Sequence, residues 1–585
     1  MRGEPFPSGK RAEASRDSLS RQAKISGRMR RLTWVLVALA ALACSYEPAP
    51  PVAPVSPQIG FEAAPTRGYI LISIDALRAD HLSVYGYPKA TSPFLEELAR
   101  RATIFDYAFA QVPSTLPSHI SMFTGLYPAE HGVFPPSSVL APEIRTLPEI
   151  LSHAGFRTAG HTEGGYVQGG YGFRRGFGEW SDTPYATESD VERTFERGLD
   201  FLKKTPQTER FFLFLHTYSV HDPYLPADPY RSMFWPGPPP AGAGEPDGPH
   251  FAAVNGGAAE TTPEAIDYFR ALYDASIRYQ ADVLRKFFAE LEAAGLHDET
   301  TILITSDHGE EFGEHGRLVH TQIYPECLRI PLLVVHPAQT KGTRVGHLAQ
   351  TVDFLPTLLD LAGVAAPLSL PGRSLRGDLE RPDAALAGEA YAEVKIQNFQ
   401  ARTLLLADGK ALWQALHAEA AGESDGFWAS KEARFDASPP GVEFRAVAFH
   451  RPREIEVTID GTPHERWTFE TDWKTFRVEL PGRGVKRRIG LGTAECESPL
   501  ALGLGNDGRC LSFKLHGAAF ERRELYDLTA DPAARRDLSV ERAERLRELL
   551  LRLRQGYSHA ARFAPAEGAL SDEQLRHLKA LGYLQ

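Results

Sequence analysis

Residues 301–320 read TILITSDHGEEFGEHGRLVH, and the fold turns on how that run is interpreted. Thr301-Ile302-Leu303-Ile304-Thr305 is apolar, rich in β-branched residues and free of glycine and proline, which predicts a buried strand. It breaks off at Ser306-Asp307-His308-Gly309 into a cluster of acids and histidines. In an α/β sheet, ligands bind just outside the carboxyl ends of the strands, so Asp307 and His308 stand where a site is expected. A carboxylate oxygen beside an imidazole nitrogen suits a divalent cation such as Zn²⁺ or Mn²⁺. The plainer interpretation is a strand followed by a solvated acidic loop, and the rest of the chain decides between the two.

Working outward, Tyr69-Ile70-Leu71-Ile72-Ser73-Ile74 is a second buried-strand run, and it too ends in an acid, Asp75. A loop follows, then a helix expected to pack through Phe94, Leu95 and Leu98. The clearest helix runs from about Pro263 to Ala294, with Ile266, Phe269, Tyr273, Ile277, Leu284, Phe287 and Leu291 on helical spacing. Thr262 is its expected N-cap, and Gly295 stands where it should stop. Strands alternating with helices predict an α/β fold, a mainly parallel sheet sandwiched by helices. Residues 234–257, rich in Pro, Gly and Ala, are expected to be a surface loop.

Residues 424–516 have a different grammar. Ile455, Val457 and Ile459 alternate with polar residues, Asp460-Gly461 offers a hairpin turn, and Trp467, Phe469, Phe476, Val478 and Leu480 keep the two-residue period. This predicts an inserted all-β module whose aromatics form its core rather than a carbohydrate-contacting face. An amphipathic helix from Val540 to about Arg554 and the tail LSDEQLRHLKALGYL close the chain.

At 585 residues, more than one domain is expected. With 43% hydrophobic and 24% charged residues the composition is that of a folded globular protein. A net charge of −11 gives no support to nucleic-acid binding, which needs a basic face. The expected organisation is a signal segment at 1–44, a Pro-rich linker at 45–67, a catalytic domain at 68–423, the β insert at 424–516 and a closing segment at 517–585.

The N-terminus carries an address. Met29-Arg30-Arg31, an apolar run from Leu32 to Ala43 and then Cys44 make a secretory signal whose apolar part is too short to span a bilayer. Ala41-Leu42-Ala43-Cys44 resembles a bacterial lipobox, with Ala41 where leucine is usual, and marks Cys44 for lipidation. Met29 is the expected start. Ser45 after the cysteine points to a periplasmic lipoprotein of the outer membrane. Of the four cysteines, Cys327 is expected to be unpaired, and Cys496 and Cys510 are close enough in sequence to bridge.

Several motifs in order carry a resemblance. ISIDALRADHLSVYGY from Ile72, TLPSHISMFTGLYPAEHGV from Thr115, FFLFLHTYSVHDPY from Phe211 and TSDHGEEFGEHG from Thr305 look like the ordered motifs of the sulfatase family, within the alkaline phosphatase superfamily. DFLPTLLDLAGV from Asp353, PGRSL from Pro371 and ELYDLTADP from Glu524 fit as well. The resemblance implies an alkaline-phosphatase-like sheet and a divalent metal ion (Zn, Mn or Ca). Its metal set would be Asp75, Thr115, Asp307 and His308.

The family nucleophile lies in a C-x-P-S-R motif as a formylglycine made from cysteine or serine. Here the motif reads Thr115, Leu116, Pro117, Ser118, His119, and threonine, with a methyl on its β-carbon, cannot be converted. Relatives with a plain threonine attack phosphorus through a metal-activated hydroxyl and a covalent intermediate. Elementary chemistry agrees, since a free hydroxyl is a poor nucleophile that a metal activates, and a helix, expected here from about Ser118 to Thr124, favours a bound anion at its N-terminus.

The usual second acid after Asp75 is Ala76, and the G-K-W-H lysine has no counterpart in GHTEGGY, residues 160–166. The resemblance makes His221 and His320 the groups that protonate a leaving oxygen or bind a second metal. Arg78 is assigned no catalytic role, and His216 and His315 are expected to be hydrogen-bonded structural histidines.

The expected function is a metal-dependent ester hydrolase with small-molecule, glycan or lipid esters as substrates, phosphate mono- or diesters ahead of sulfates. The alternatives are a phosphoethanolamine-transferase-like enzyme acting on cell-envelope acceptors, disfavoured by the want of several membrane-spanning segments, and a non-catalytic envelope-binding protein, disfavoured by an intact metal set.

Overall fold

Two apolar runs, each ending in an acid, lie side by side at the centre of the molecule. The structure, a computed structural model, describes residues 66–567 apart from 137, 183–189, 227, 256–257, 367–369, 383–385, 397–398, 421–427, 430–431, 438–440, 449, 461, 473, 480–486, 494–512, 517–519, 540 and 557–565. The elements that position the site are β1 (Gly68–Ile74), α1 (Pro93–Leu98), β2 (Thr103–Phe109), α2 (Thr115–Thr124), α3 (Leu147–His153), β3 (Arg157–Thr162), β4 (Glu179–Asp182), α4 (Val191–Lys204), β5 (Phe211–Thr217), α5 (Gly248–Asn255), α6 (Pro263–Ala293), β6 (Thr300–Thr305), β7 (Arg329–Ile330), β8 (Leu332–Val335), β9 (Thr343–Gln350) and α7 (Phe354–Leu361).

The central sheet has the order β7-β2-β8-β6-β1-β5-β3-β4, with β9 also on β2. From β6 to β4 every pairing is parallel, β9 is parallel to β2, and β7 and β8 run against their neighbours. The expected α/β architecture is therefore observed. A strand buried on both faces reads as continuous apolar sequence, and alternate residues of β1 serve opposite cores. Ile70, Ile72 and Ile74 pack with α1, α4 and α6, while Tyr69 and Leu71 pack with α2, α3 and α7. The long helix α6 starts and stops as expected: Thr262 accepts from the amide of Ala265, and Gly295 adopts φ 68°.

A second, antiparallel sheet follows. β10 (Ala387–Ile396), β11 (Phe399–Asp408) and β12 (Leu412–Ala420) pair in sequence, and β17 (Phe520–Asp527) lies on β12. Beyond β17 come β13 (Glu432–Ala437), β16 (Arg487–Gly492), β14 (Arg453–Ile459) and β15 (Thr462–Phe469), so the strands of 424–516 extend a sheet that begins before them. Trp428–Ala429, Gly441–Ala448, Lys474–Glu479 and Phe513–His516 form a four-stranded companion. The hairpin turn at Asp460 joins β14 to β15, and Trp467, Phe469 and Phe476 pack on one another. Apolar residues of β10–β12 and β17 share a core with Phe109 and Leu348 of the central sheet. Helix α8 (Ala543–Gly556) covers β11 and β12 through Leu546, Leu549, Leu550 and Leu553.

Residues 234–257 depart from the expected surface loop, because they contain α5. Phe251 is buried against Tyr224 and Phe269, an anchor that the surrounding Gly and Pro concealed. Asn255 then holds Leu318 from both sides of its side-chain amide: Nδ2 donates to the Leu318 carbonyl at 3.0 Å and Oδ1 accepts from the Leu318 backbone N–H at 2.8 Å, bracing the stretch after the organising strand. Cys327 is buried and unpaired. Cys44, Cys496, Cys510 and the last residues lie outside the described part. Among the described residues no helix is long and apolar enough to cross a membrane.

Candidate active site

The parallel register of three strands delivers the site. Ser73 of β1 pairs with Thr305 of β6 on one side and His216 of β5 on the other, so Asp75 and Asp307 emerge together at the carboxyl ends. The chain turns sharply after Asp75, where Ala76 takes φ 57°, a left-handed conformation that a non-glycine residue adopts only when its surroundings hold it there. They do hold it: the Ala76 amide donates to Asp307 Oδ1 at 3.2 Å, and its carbonyl accepts from the Tyr273 hydroxyl at 2.7 Å. After His308, Gly309 lets two backbones meet, since a Cβ there would stand 2.0 Å from the carbonyl oxygen of Glu326.

Helix α2 begins at Thr115 itself, three residues before the expected start. Pro117 does not delay it, because a proline in the first turn lacks only an N–H that has no partner within the helix. Thr115 Oγ1 lies 3.2 Å from His308 Nε2, and Ser118 Oγ ties the helix to the strand end by donating to the Asp307 carbonyl at 2.7 Å.

His308 Nε2 is 3.3 Å from Asp307 Oδ2 and 3.7 Å from Asp75 Oδ1. Both of those carboxylate oxygens are buried and accept no hydrogen bond. One donor atom each from Asp75, Asp307 and His308 falls within 4.8 Å of the other two, and all three side chains are fully buried. Burial, and then the charge of Asp307, push the Asp75 carboxyl well above its ordinary range. Burial would raise Asp307 too, but His308, His119 and His216 hold it low. Two carboxylates with orphaned oxygens around one imidazole form a pocket short of positive charge, which a divalent cation fits.

Behind these groups stand two histidines. His216 Nε2 is 3.2 Å from Asp75 Oδ2, while His119 places Nε2 2.9 Å from Ser73 Oγ and Nδ1 3.5 Å from Asp307 Oδ2. Their rings meet edge to face at 4.7 Å. Burial lowers His119 to about 4 and His216 to about 3, so both are neutral at pH 7. His216 is hydrogen-bonded, as expected of a structural histidine, and its partner is one of the two carboxylates. The strand register with β1 gives it that place, and the sequence carries no local mark of it.

The Sulfatase family matches residues 67–364, about half of the chain. The chain belongs to the sulfatase family. It is 31% identical over 219 residues to the multifunctional alkaline phosphatase superfamily protein PehA of Trinickia caryophylli, a match spanning 34% of this chain and 41% of that one. To the ulvan-active sulfatase of Formosa agariphila it is 26% identical over 369 residues, 56% of this chain and 68% of the other. A structure solved in complex with its substrate, D-glucosamine-2-N,6-O-disulfate, superimposes with a TM-score of 0.56 at 17% identity, covering 84% of this chain and 98% of that one, which establishes the shared fold.

Within this family member, the two remaining candidate histidines close over His308. The His320 ring stacks on His308 at 4.2 Å, and its Nδ1 is 3.0 Å from Glu310 Oε1. His221 meets the His320 ring at 5.1 Å and puts Nδ1 2.6 Å from the Asp222 carbonyl and 3.3 Å from its carboxylate. Burial works against a charge on His221, yet Asp222, Asp75 and Glu310 outweigh it and raise the ring to about 9. Burial and the neighbouring His221 lower His320 to about 3. Asp75, Thr115, His221, Asp307, His308 and His320 therefore gather at one place, while Arg78 is tied to Asp80 and Glu314 as befits a structural arginine. Glu310, Asp222 and His119 join them, and no local periodicity marks those three in advance.

Proposed function

We propose that this chain is a metal-dependent hydrolase of phosphate or sulfate esters that attacks through Thr115 and passes through a covalent threonine ester. The observation that supports this above others is the Thr115 hydroxyl, 3.2 Å from His308 Nε2 at the first residue of a helix and beside two unsatisfied carboxylate oxygens. Asp75, Asp307 and His308, with Thr115 beside them, would hold a divalent ion whose chemistry is to make the hydroxyl more acidic and to offset charge on the attacked group. The first amides of α2 favour an anionic ester group at the same place. His221, whose ring Asp222, Asp75 and Glu310 raise, is the acid for the leaving oxygen, and His320, anchored by Glu310, orients the ester or the attacking water. Similarity to a multifunctional alkaline phosphatase superfamily protein and to an ulvan-active sulfatase supports this range of substrates. We place the enzyme in the bacterial envelope, tethered through Cys44. Purified protein assayed on matched aryl phosphate, phosphodiester, phosphonate and sulfate esters tests the reading, and no metal-dependent turnover of any of them would overturn it.

A further inference from the structure

Beyond the candidate site, the same segment carries a second set of metal-type donors. Glu311, His315 and Glu326 are buried, and one donor atom of each lies within 4.8 Å of the other two. His315 Nε2 is 3.0 Å from the carbonyl oxygen of Ala534, which can only accept, so Nε2 carries hydrogen. Nδ1 then faces Glu326 Oε1, the arrangement of a metal-binding histidine whose other nitrogen is fixed by a carbonyl. Glu326 is 4% exposed, and its second oxygen, Oε2, is buried without a hydrogen-bond partner. Glu311 is held in place by the His315 amide at 2.9 Å and by Gln322 Nε2, 2.9 Å from each of its oxygens.

The charges do not balance within this cluster. Two buried carboxylates face one imidazole, while Arg78 is engaged by Glu314 at 2.8 Å and Asp80 at 2.7 Å. A proton on His315 would serve Glu326 Oε1 and still leave Glu326 Oε2 buried without a partner. A divalent cation beside a neutral His315 offsets both carboxylates. One nitrogen with carboxylate oxygens suits Zn²⁺ or Mn²⁺ better than Ca²⁺ or Mg²⁺, which take oxygen shells.

We propose that Glu311, His315 and Glu326 bind a divalent transition-metal ion distinct from the one at Asp75, Asp307 and His308. The ion pins the segment that bears His320 to the stretch around Glu524 and Ala534. His315 stacks on Tyr324 at 3.6 Å and 2°, the Tyr324 hydroxyl donates to Glu524 at 2.8 Å, and Ala534 completes the contact.

Chelator-stripped full-length protein is dialysed against Zn²⁺ or Mn²⁺, and bound metal is counted by mass spectrometry. The expected count is two equivalents for wild type, one for Glu326→Gln and one for Asp307→Ala. A Glu326→Gln variant that keeps the wild-type count overturns the proposal. If that variant does not fold, Glu311→Gln makes the same comparison, and a single wild-type equivalent abolished by Asp307→Ala overturns it as well. A single equivalent lost in Glu326→Gln and kept in Asp307→Ala supports this site and removes the catalytic one.

Discussion

His216 Nε2 approaches Asp75 Oδ2 to 3.2 Å across the pairing of β5 with β1, and neither side chain is exposed to solvent. The contact fixes which way the carboxylate points and leaves its other oxygen, Oδ1, turned toward His308. Ser73, between the two strand ends, hands the same support on to His119, which faces Asp307. The back wall of the site is thus a chain of neutral imidazoles.

Outer partners of metal ligands typically cost 10- to 100-fold in metal affinity when removed. His216→Ala is expected to weaken binding by about that factor, measured by competition with a chromophoric chelator. His216→Gln, which keeps a donor near the same place, should recover part of the loss. Unchanged affinity in a folded His216→Ala protein would show that Asp75 needs no such support.

Asp274 on α6 is a fully buried acid away from the site, held by His81 Nδ1 at 2.8 Å, Lys89 Nζ at 2.8 Å and the Tyr87 hydroxyl at 2.9 Å. Burial alone would raise its carboxyl, but His81 and Lys89 bring it below the ordinary value. A depressed acid adds stability at neutral pH, and that stability fades as pH falls from its unfolded value, about 3.9, through the lower folded one. Removing one partner of a buried pair costs about 3–5 kcal/mol, and Asp274→Ala is expected in that range by urea unfolding at pH 7. For Asp274→Asn the deficit should shrink as the pH is lowered below 4, and a deficit independent of pH would contradict the assignment.

What could be read in advance, and what could not, follows from the range of the interactions. β1, β6 and α6 announce themselves because uninterrupted apolar runs and a Thr-Pro…Gly frame are local signals. Asp75 and Asp307 were legible as acids at strand ends. The partner of His216 was not, since it depends on which strand lies beside β1. Nor was α5, whose single large anchor, Phe251, sits in a stretch of Gly, Pro and Ala. The joining of β13 to β17 rests on a pairing between Arg434 and Glu521, far apart in sequence, which no two-residue period encodes.

The N-terminal motif makes a prediction of its own. If Cys44 is lipidated, the protein should sediment with membranes, because several acyl chains anchor firmly where one binds only marginally. Cys44→Ala should release the chain or stop its processing, followed by immunoblot of fractionated cells. A wild-type protein found wholly in the soluble periplasmic fraction would refute the anchor.

The nucleophile separates phosphate from sulfate chemistry. A formylglycine hydrate has a second hydroxyl on the same carbon and can expel sulfate by elimination. A threonine ester has none, so water must attack phosphorus or sulfur of the intermediate directly. Phosphoryl transfer in line, with its charge stabilised by a cation and helix amides, manages that second step readily. A phosphate mono- or diester should therefore be turned over faster than the matching sulfate. Thr115→Ala should lower kcat by on the order of 10³-fold or more, as loss of a covalent nucleophile does. Thr115→Ser should retain substantial activity, because the hydroxyl that faces His308 is preserved. Rapid-quench experiments should trap a phosphorylated wild-type chain that is absent from Thr115→Ala. A wide preference for aryl sulfate, or full activity in Thr115→Ala, would exclude this mechanism.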